Sequence, residues 1–144
     1  FLLNGKNTGN LGVIKKKTPQ THSAVLITNL ERTLIDCVVR PKYAGGVEEI
    51  MNAFERAKDT VSINRLLGLL KKLDYVYLYE KSVYFYLKKN HYSPSQLNMV
   101  SKAINKSDVA NLNFYLDYQI PGKLLDEEIG LYYPRQFQNY NLFG

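Results

Sequence analysis

The chain has 144 residues, 45% of them hydrophobic, and 19 basic side chains against 13 acidic ones, for a formal charge of +6. That suffices for a packed core, as one ordinary domain or two small lobes, and excludes a disordered chain or, with no apolar run near ~20 residues, a helical membrane span. The single cysteine, Cys37, excludes an internal disulfide or a cysteine-cluster metal site and fits a reducing cytoplasm, while the basic balance favours polyanion partners such as DNA, RNA or an acidic protein surface.

The chain opens on FLLNGKNTGN, with neither an initiator Met nor the basic start and cleavage site of a signal peptide, so an upstream segment is expected. The first 28 residues read as strands: FLLNG, then GNLGVIKKKT after a turn signal, then SAVLIT after a proline-containing loop. A three-stranded antiparallel sheet is the simplest arrangement. Lys15, Lys16 and Lys17 are its sharpest basic feature. Alternation puts Lys15 and Lys17 on one face and Lys16 on the other, which suits either a solvated sheet edge or contacts to phosphate.

Helices follow. Thr28 and Glu31 have capping-box spacing, so a helix is predicted from about Asn29, with Leu30, Leu34, Cys37 and Val38 on its apolar face. Arg40-Pro41 stops it, because a residue before proline avoids helical angles. Gly45-Gly46 reverses the chain, and at least one of the two is expected at positive φ. Val47, Ile50, Met51 and Phe54 then line a second helix, with Glu48, Glu49, Glu55 and Arg56 outward. Leu30, Leu34, Val38, Val47, Ile50 and Phe54 are expected to share one core. Ser62 caps a third helix, with Ile63, Leu66, Leu67 and Leu70 apolar and Lys71-Lys72 at its C-terminal end.

The stretch DYVYLYEKSVYFYLKKNHY alternates like a hairpin turning at Lys81-Ser82, yet Val76, Tyr79, Val83, Tyr86 and Leu87 also recur at helical spacing. Its pattern supports both. Ser93-Pro94 starts a further helix carrying Leu97, Val100 and Ile104. The tail returns to strand character in NLNFYLDYQI and IGLYYP, with a Pro121-Gly122 turn between them.

Catalytic patterns are weak. His22 and His91 are isolated, and Cys37 lies on an apolar helix face as a small hydrophobe. Gly45-Gly46 lacks the strand before and the Lys-Ser or Lys-Thr after that a phosphate-binding loop needs. Asp117 and Lys123, the nearest approach to a nuclease pair, straddle the Pro-Gly turn. No cofactor or metal site is expected. Arg32, Asp36 and Arg40 are four apart, so they stack as a charge ladder on one helix face, with a partner contact through Arg32 or Arg40 as the alternative. Glu31 is assigned to the cap.

The block Glu31, Arg32, Thr33, Leu34, Ile35, Asp36, then Arg40-Pro41, then Ala44-Gly45-Gly46, resembles the C-terminal domain of the AbiEi family, antitoxins of type IV abortive-infection toxin–antitoxin systems. The later segment is similar to that family's pattern at Tyr79, Val83, Phe85, Tyr86, Leu87 and Tyr92. It departs at Leu78, where proline is expected, at Glu80, where histidine is common, and at Tyr84 and His91, where glycine is common. The resemblance spans residues 11–133 and favours helix for the tyrosine-rich segment. The expected fold is then α+β: one domain, with a small antiparallel sheet from N- and C-terminal strands packed against a central bundle of about five helices.

The resemblance implies a cytoplasmic, non-enzymatic antitoxin and transcriptional-regulator domain. It would counteract a nucleotidyltransferase-like toxin, without an assumed stable complex. It would also support repression of operator DNA beside an upstream winged helix-turn-helix. Glu31, Arg32, Thr33, Asp36, Arg40, Pro41, Gly45 and Gly46 are expected to be structural. Two alternatives remain: a stand-alone basic nucleic-acid-binding domain using Lys15, Lys16 and Lys17, and an enzyme of unknown type.

Overall fold

A computed structural model describes residues 12–17 and 24–140. Helix α1 (Leu30–Val39) begins at Asn29, whose side-chain oxygen accepts the Arg32 N–H at 2.8 Å. The Thr28–Glu31 capping box does not form. Asn is the stronger cap, so the helix starts one residue later and Glu31 faces inward. The Thr28 hydroxyl meets that of Thr33 instead, at 2.6 Å.

Proline stops α1 and opens a 3₁₀ turn, Pro41–Ala44. Gly45 and Gly46 follow at φ 92° and 96°, and α2 (Val47–Ala57) runs back from them. Helix α3 (Ile63–Leu73) is capped by the Ser62 hydroxyl, which accepts the Arg65 N–H. The tyrosine-rich segment divides at Glu80. Residues 74–79 form a non-helical link, and α4 (Glu80–Lys89) follows, so there is no hairpin. Val76, which helical spacing placed on the buried stripe, belongs to the link and is 64% exposed. His91, at φ 57°, turns the chain toward α5 (Pro94–Asn105), whose start has the full Ser93–Gln96 capping box.

The core lies among these five helices. Leu34, Val38, Val47, Ile50 and Phe54 are buried in it as expected, and Leu30 packs half-buried at its margin. Phe54 is fully enclosed and stacks on Tyr86 of α4, with ring centroids 5.1 Å apart.

The α+β class holds, and the strands divide into two sheets. β1 (Val13–Lys17) pairs antiparallel with β2 (Ala24–Thr28). In the tail, β3 (Phe114–Tyr115), β4 (Lys123–Asp126) and β5 (Leu131–Pro134) form a mixed sheet of order β3-β5-β4, with β3 parallel to β5. N- and C-terminal strands therefore share no sheet among the described residues. FLLNG and His22 lie outside them. Pro121-Gly122 bends the chain between β3 and β4 as expected, with Gly122 at φ 68°, and the β4–β5 hairpin turns at residues 126–130. The Asp126 carboxylate accepts the Glu128 N–H, and Gly130 closes the turn at φ 71°.

Lysines of α4 fasten this tail. Lys81 is 1% exposed, and its ammonium donates to the carbonyls of Ala110 and Leu112 at 2.7 and 2.6 Å. Burial lowers its pKa. Lys88 reaches Glu128 at 2.7 Å and Asp126 at 3.4 Å.

Candidate interaction surface

The block from Glu31 to Gly46 folds as a joint. Glu31, 2% exposed, accepts the Ser62 backbone N–H at 2.9 Å, so it caps the start of α3 rather than of its own helix. Its other oxygen lies 3.4 Å from Arg65, which is largely solvated and contributes less. Arg32 pairs with Asp36 at 3.0 Å, giving the first rung of the expected ladder. Arg40 caps the helix end, and its guanidinium stands 5.9 Å over the Tyr43 ring. The Thr33 hydroxyl donates to the Asn29 carbonyl. Lys15, Lys16 and Lys17 sit on β1 opposite Leu26, Val25 and Ala24, and only their backbone is described.

Cys37 is half-buried, and burial, followed by the Asp36 charge, raises its pKa, so the thiol stays protonated at neutral pH. Among the described residues, no three His, Cys, Asp or Glu side chains converge as they would around a metal ion.

Two open grooves share a ridge formed by Val76, Tyr77 and Val109, and the second adjoins the joint. The first, of about 670 Å³, runs between α3 and α5. Asn64, Leu67, Gly68 and Lys71 form its α3 wall, a stripe at i, i+3, i+4 and i+7; Met99, Lys102 and Ala103 of α5, with Lys106 at its C-cap, repeat that spacing. The second groove, of about 390 Å³, is lined by Val38, Val39 and Pro41 on one side and by residues of the 109–118 segment on the other. Leu112, Tyr115 and Tyr118 are exposed there. Pro41, one of the residues that carry the family resemblance, thus lines this groove together with its neighbours Val38 and Val39.

Tyr77 fixes the ridge. Its ring meets Phe114 edge-on at 4.8 Å and Tyr79 at 5.0 Å. Its hydroxyl accepts the Tyr115 N–H at 2.5 Å and donates to the Tyr115 carbonyl at 2.9 Å. Burial raises the phenol pKa of Tyr77 and pushes that of Tyr79 up to about 12, so both stay neutral across the physiological range. Burial also raises the Glu80 carboxyl in the first groove. The arrangement is suited to binding through apolar contact, with charge at the rim.

Sequence reasoning missed Tyr77, Lys81 and the α5 wall. Gly68, a glycine in a helix interior, was the available signal: nothing lies within 4 Å of a Cβ built on it, so this fold places no demand for glycine there. No family model matches the chain, and no curated protein or solved structure is significantly similar to it.

Proposed function

We propose that this is a non-enzymatic antitoxin and transcriptional-regulator domain of a type IV toxin–antitoxin system, counteracting a nucleotidyltransferase-like toxin and supporting operator repression. The observation carrying this reading is the joint. The residues by which the chain resembles the AbiEi C-terminal domain perform interlocking structural tasks: Glu31 caps α3, Arg32 holds Asp36, Pro41 opens the 3₁₀ turn, and Gly45 and Gly46 take left-handed backbone. His91, where the family pattern has glycine, also sits at positive φ. A motif with these tasks specifies a scaffold, and the scaffold presents grooves for binding.

The test is rescue. The chain is co-expressed in bacteria with the nucleotidyltransferase-like product of the adjacent reading frame, and growth is followed. Restored growth is the expected result, and undiminished arrest by an active toxin, with the domain soluble and abundant, overturns the reading. The operator arm of the proposal, in which a winged helix precedes this domain, is tested separately in that longer protein. There, Lys15→Ala with Lys17→Ala should flatten the slope of log affinity against log salt by ~1 to 2 units while preserving operator preference. An unchanged slope reduces the lysine run to a solvated strand edge.

A further inference from the structure

We infer that the groove between α3 and α5 is a docking site for an acidic amphipathic helix of a partner protein. Its lining includes small and apolar residues. Gly68 and Ala103 occupy its two walls, with Leu67 and Met99 beside them. Leu67, Met99 and Ala103 are only partly buried by the chain's own packing, and Gly68 is exposed. Small residues let a third helix approach the two existing ones closely, and a flexible methionine adapts to its side chains.

The rim determines the sign of the partner. Lys71, Lys102 and Lys106 line the groove, are exposed, and make no ion pair among the described residues. The groove also contains Asp74 and Glu80. A polynucleotide carries a charge on every unit and would set some of them against these carboxylates. A helix can space its acidic side chains over the lysines and leave other positions uncharged. The apolar lining also favours protein: Leu67, Leu70, Leu78, Met99 and Val109 are aliphatic or thioether groups, not open stacking platforms. The Tyr75 and Tyr77 rings in this groove are both in contact with Tyr79. The chemistry of the groove is the same whether or not the domain counteracts a toxin, so failed rescue leaves this proposal standing.

The test uses two labelled helical peptides of about 18 residues with leucines at i, i+3, i+4 and i+7, one flanked by glutamates and the other by lysines. Fluorescence anisotropy with the whole chain should show saturable binding of the acidic peptide, at least ~10-fold tighter than the basic one and weakened by salt. Lys71→Glu, Lys102→Glu and Lys106→Glu together should weaken it at least ~10-fold, whereas the same charge change at Lys42, Lys58 and Lys72, outside the groove, should leave it within about twofold. Gly68→Leu separates docking from folding. Leucine is the better helix former and has open space here, so thermal stability should hold or rise while peptide binding falls at least ~10-fold.

Equal affinity for the two peptides, binding insensitive to the lysine reversals, or no saturable binding to a folded chain overturns the proposal. Random-sequence DNA that binds more tightly than the acidic peptide and needs the same three lysines makes the groove a nucleic-acid site instead. Self-association in sedimentation equilibrium that Gly68→Leu abolishes makes the occupant a second copy of this chain.

Discussion

The joint of residues 31–46 and the ridge at Val76 and Tyr77 handle exposure in opposite ways. In the joint, a charged residue is buried and used: Glu31 is 2% exposed and holds the start of α3. On the ridge, an apolar residue is left in water: Val76 is 64% exposed between two grooves. Burying a carboxylate requires hydrogen-bond partners to offset its desolvation, so such a group marks where the fold is held together. Exposing an aliphatic side chain forgoes burial, so a cluster of them marks where a partner can gain what the fold did not. The contrast separates scaffold from surface without reference to any motif.

Substitutions can break or sharpen this contrast. The largest effect is expected at Phe54, fully buried against Tyr86: Phe54→Ala should destabilise by ~3 to 5 kcal/mol in chemical denaturation. A cost below ~1 kcal/mol would place the core elsewhere. Next comes Glu31→Ala, which removes the charged acceptor from the Ser62 N–H and should cost ~1.5 to 3 kcal/mol. Loss of amide-exchange protection should concentrate in the first turn of α3; a loss confined to α1 would restore the capping-box assignment. Gly46→Ala should cost ~1 to 3 kcal/mol, because φ 96° with ψ 173° is a region that alanine avoids. The smallest effect belongs to the ridge: Val76→Ser should stay within ~0.5 kcal/mol in thermal unfolding, and a larger loss would make the ridge part of the scaffold.

What could be read from the sequence follows the range of the interactions. The α1–α2 reversal was legible because its signals are local: Arg40-Pro41 to stop and Gly45-Gly46 to turn, both glycines taking positive φ. The role of Glu31 was not. Its spacing from Thr28 suggested a local cap, whereas its partner, Ser62, is 31 residues away. The tyrosine-rich segment was ambiguous because tyrosine suits both strand and helix, and α4 is settled by packing, with Val83, Phe85, Tyr86 and Leu87 buried together. In the tail, the Pro121-Gly122 turn was legible and bends the chain before β4, whereas the Asp126–Gly130 hairpin turn went unread and the parallel pairing of β3 with β5 has no local signature. The first groove was illegible for the same reason. Its α3 and α5 walls are ordinary helix stripes, and only tertiary structure brings Gly68 and Ala103 to one groove.

The Tyr77 hydroxyl has a consequence for how the molecule behaves at high concentration. β3 faces β5 through the N–H groups of Phe114 and Leu116, which leaves the N–H and carbonyl of Tyr115 on the outer edge of the sheet. Both are occupied by a single phenol, which imitates the donor and acceptor that another strand would offer. The β3 edge of the sheet is thereby sealed against edge-to-edge pairing by a side chain. Tyr77→Phe would preserve the ring contacts and remove the seal, opening the β3 edge as a template for strand pairing. Light scattering on concentrated samples would rise with time in that variant, while its unfolding transition would move comparatively little.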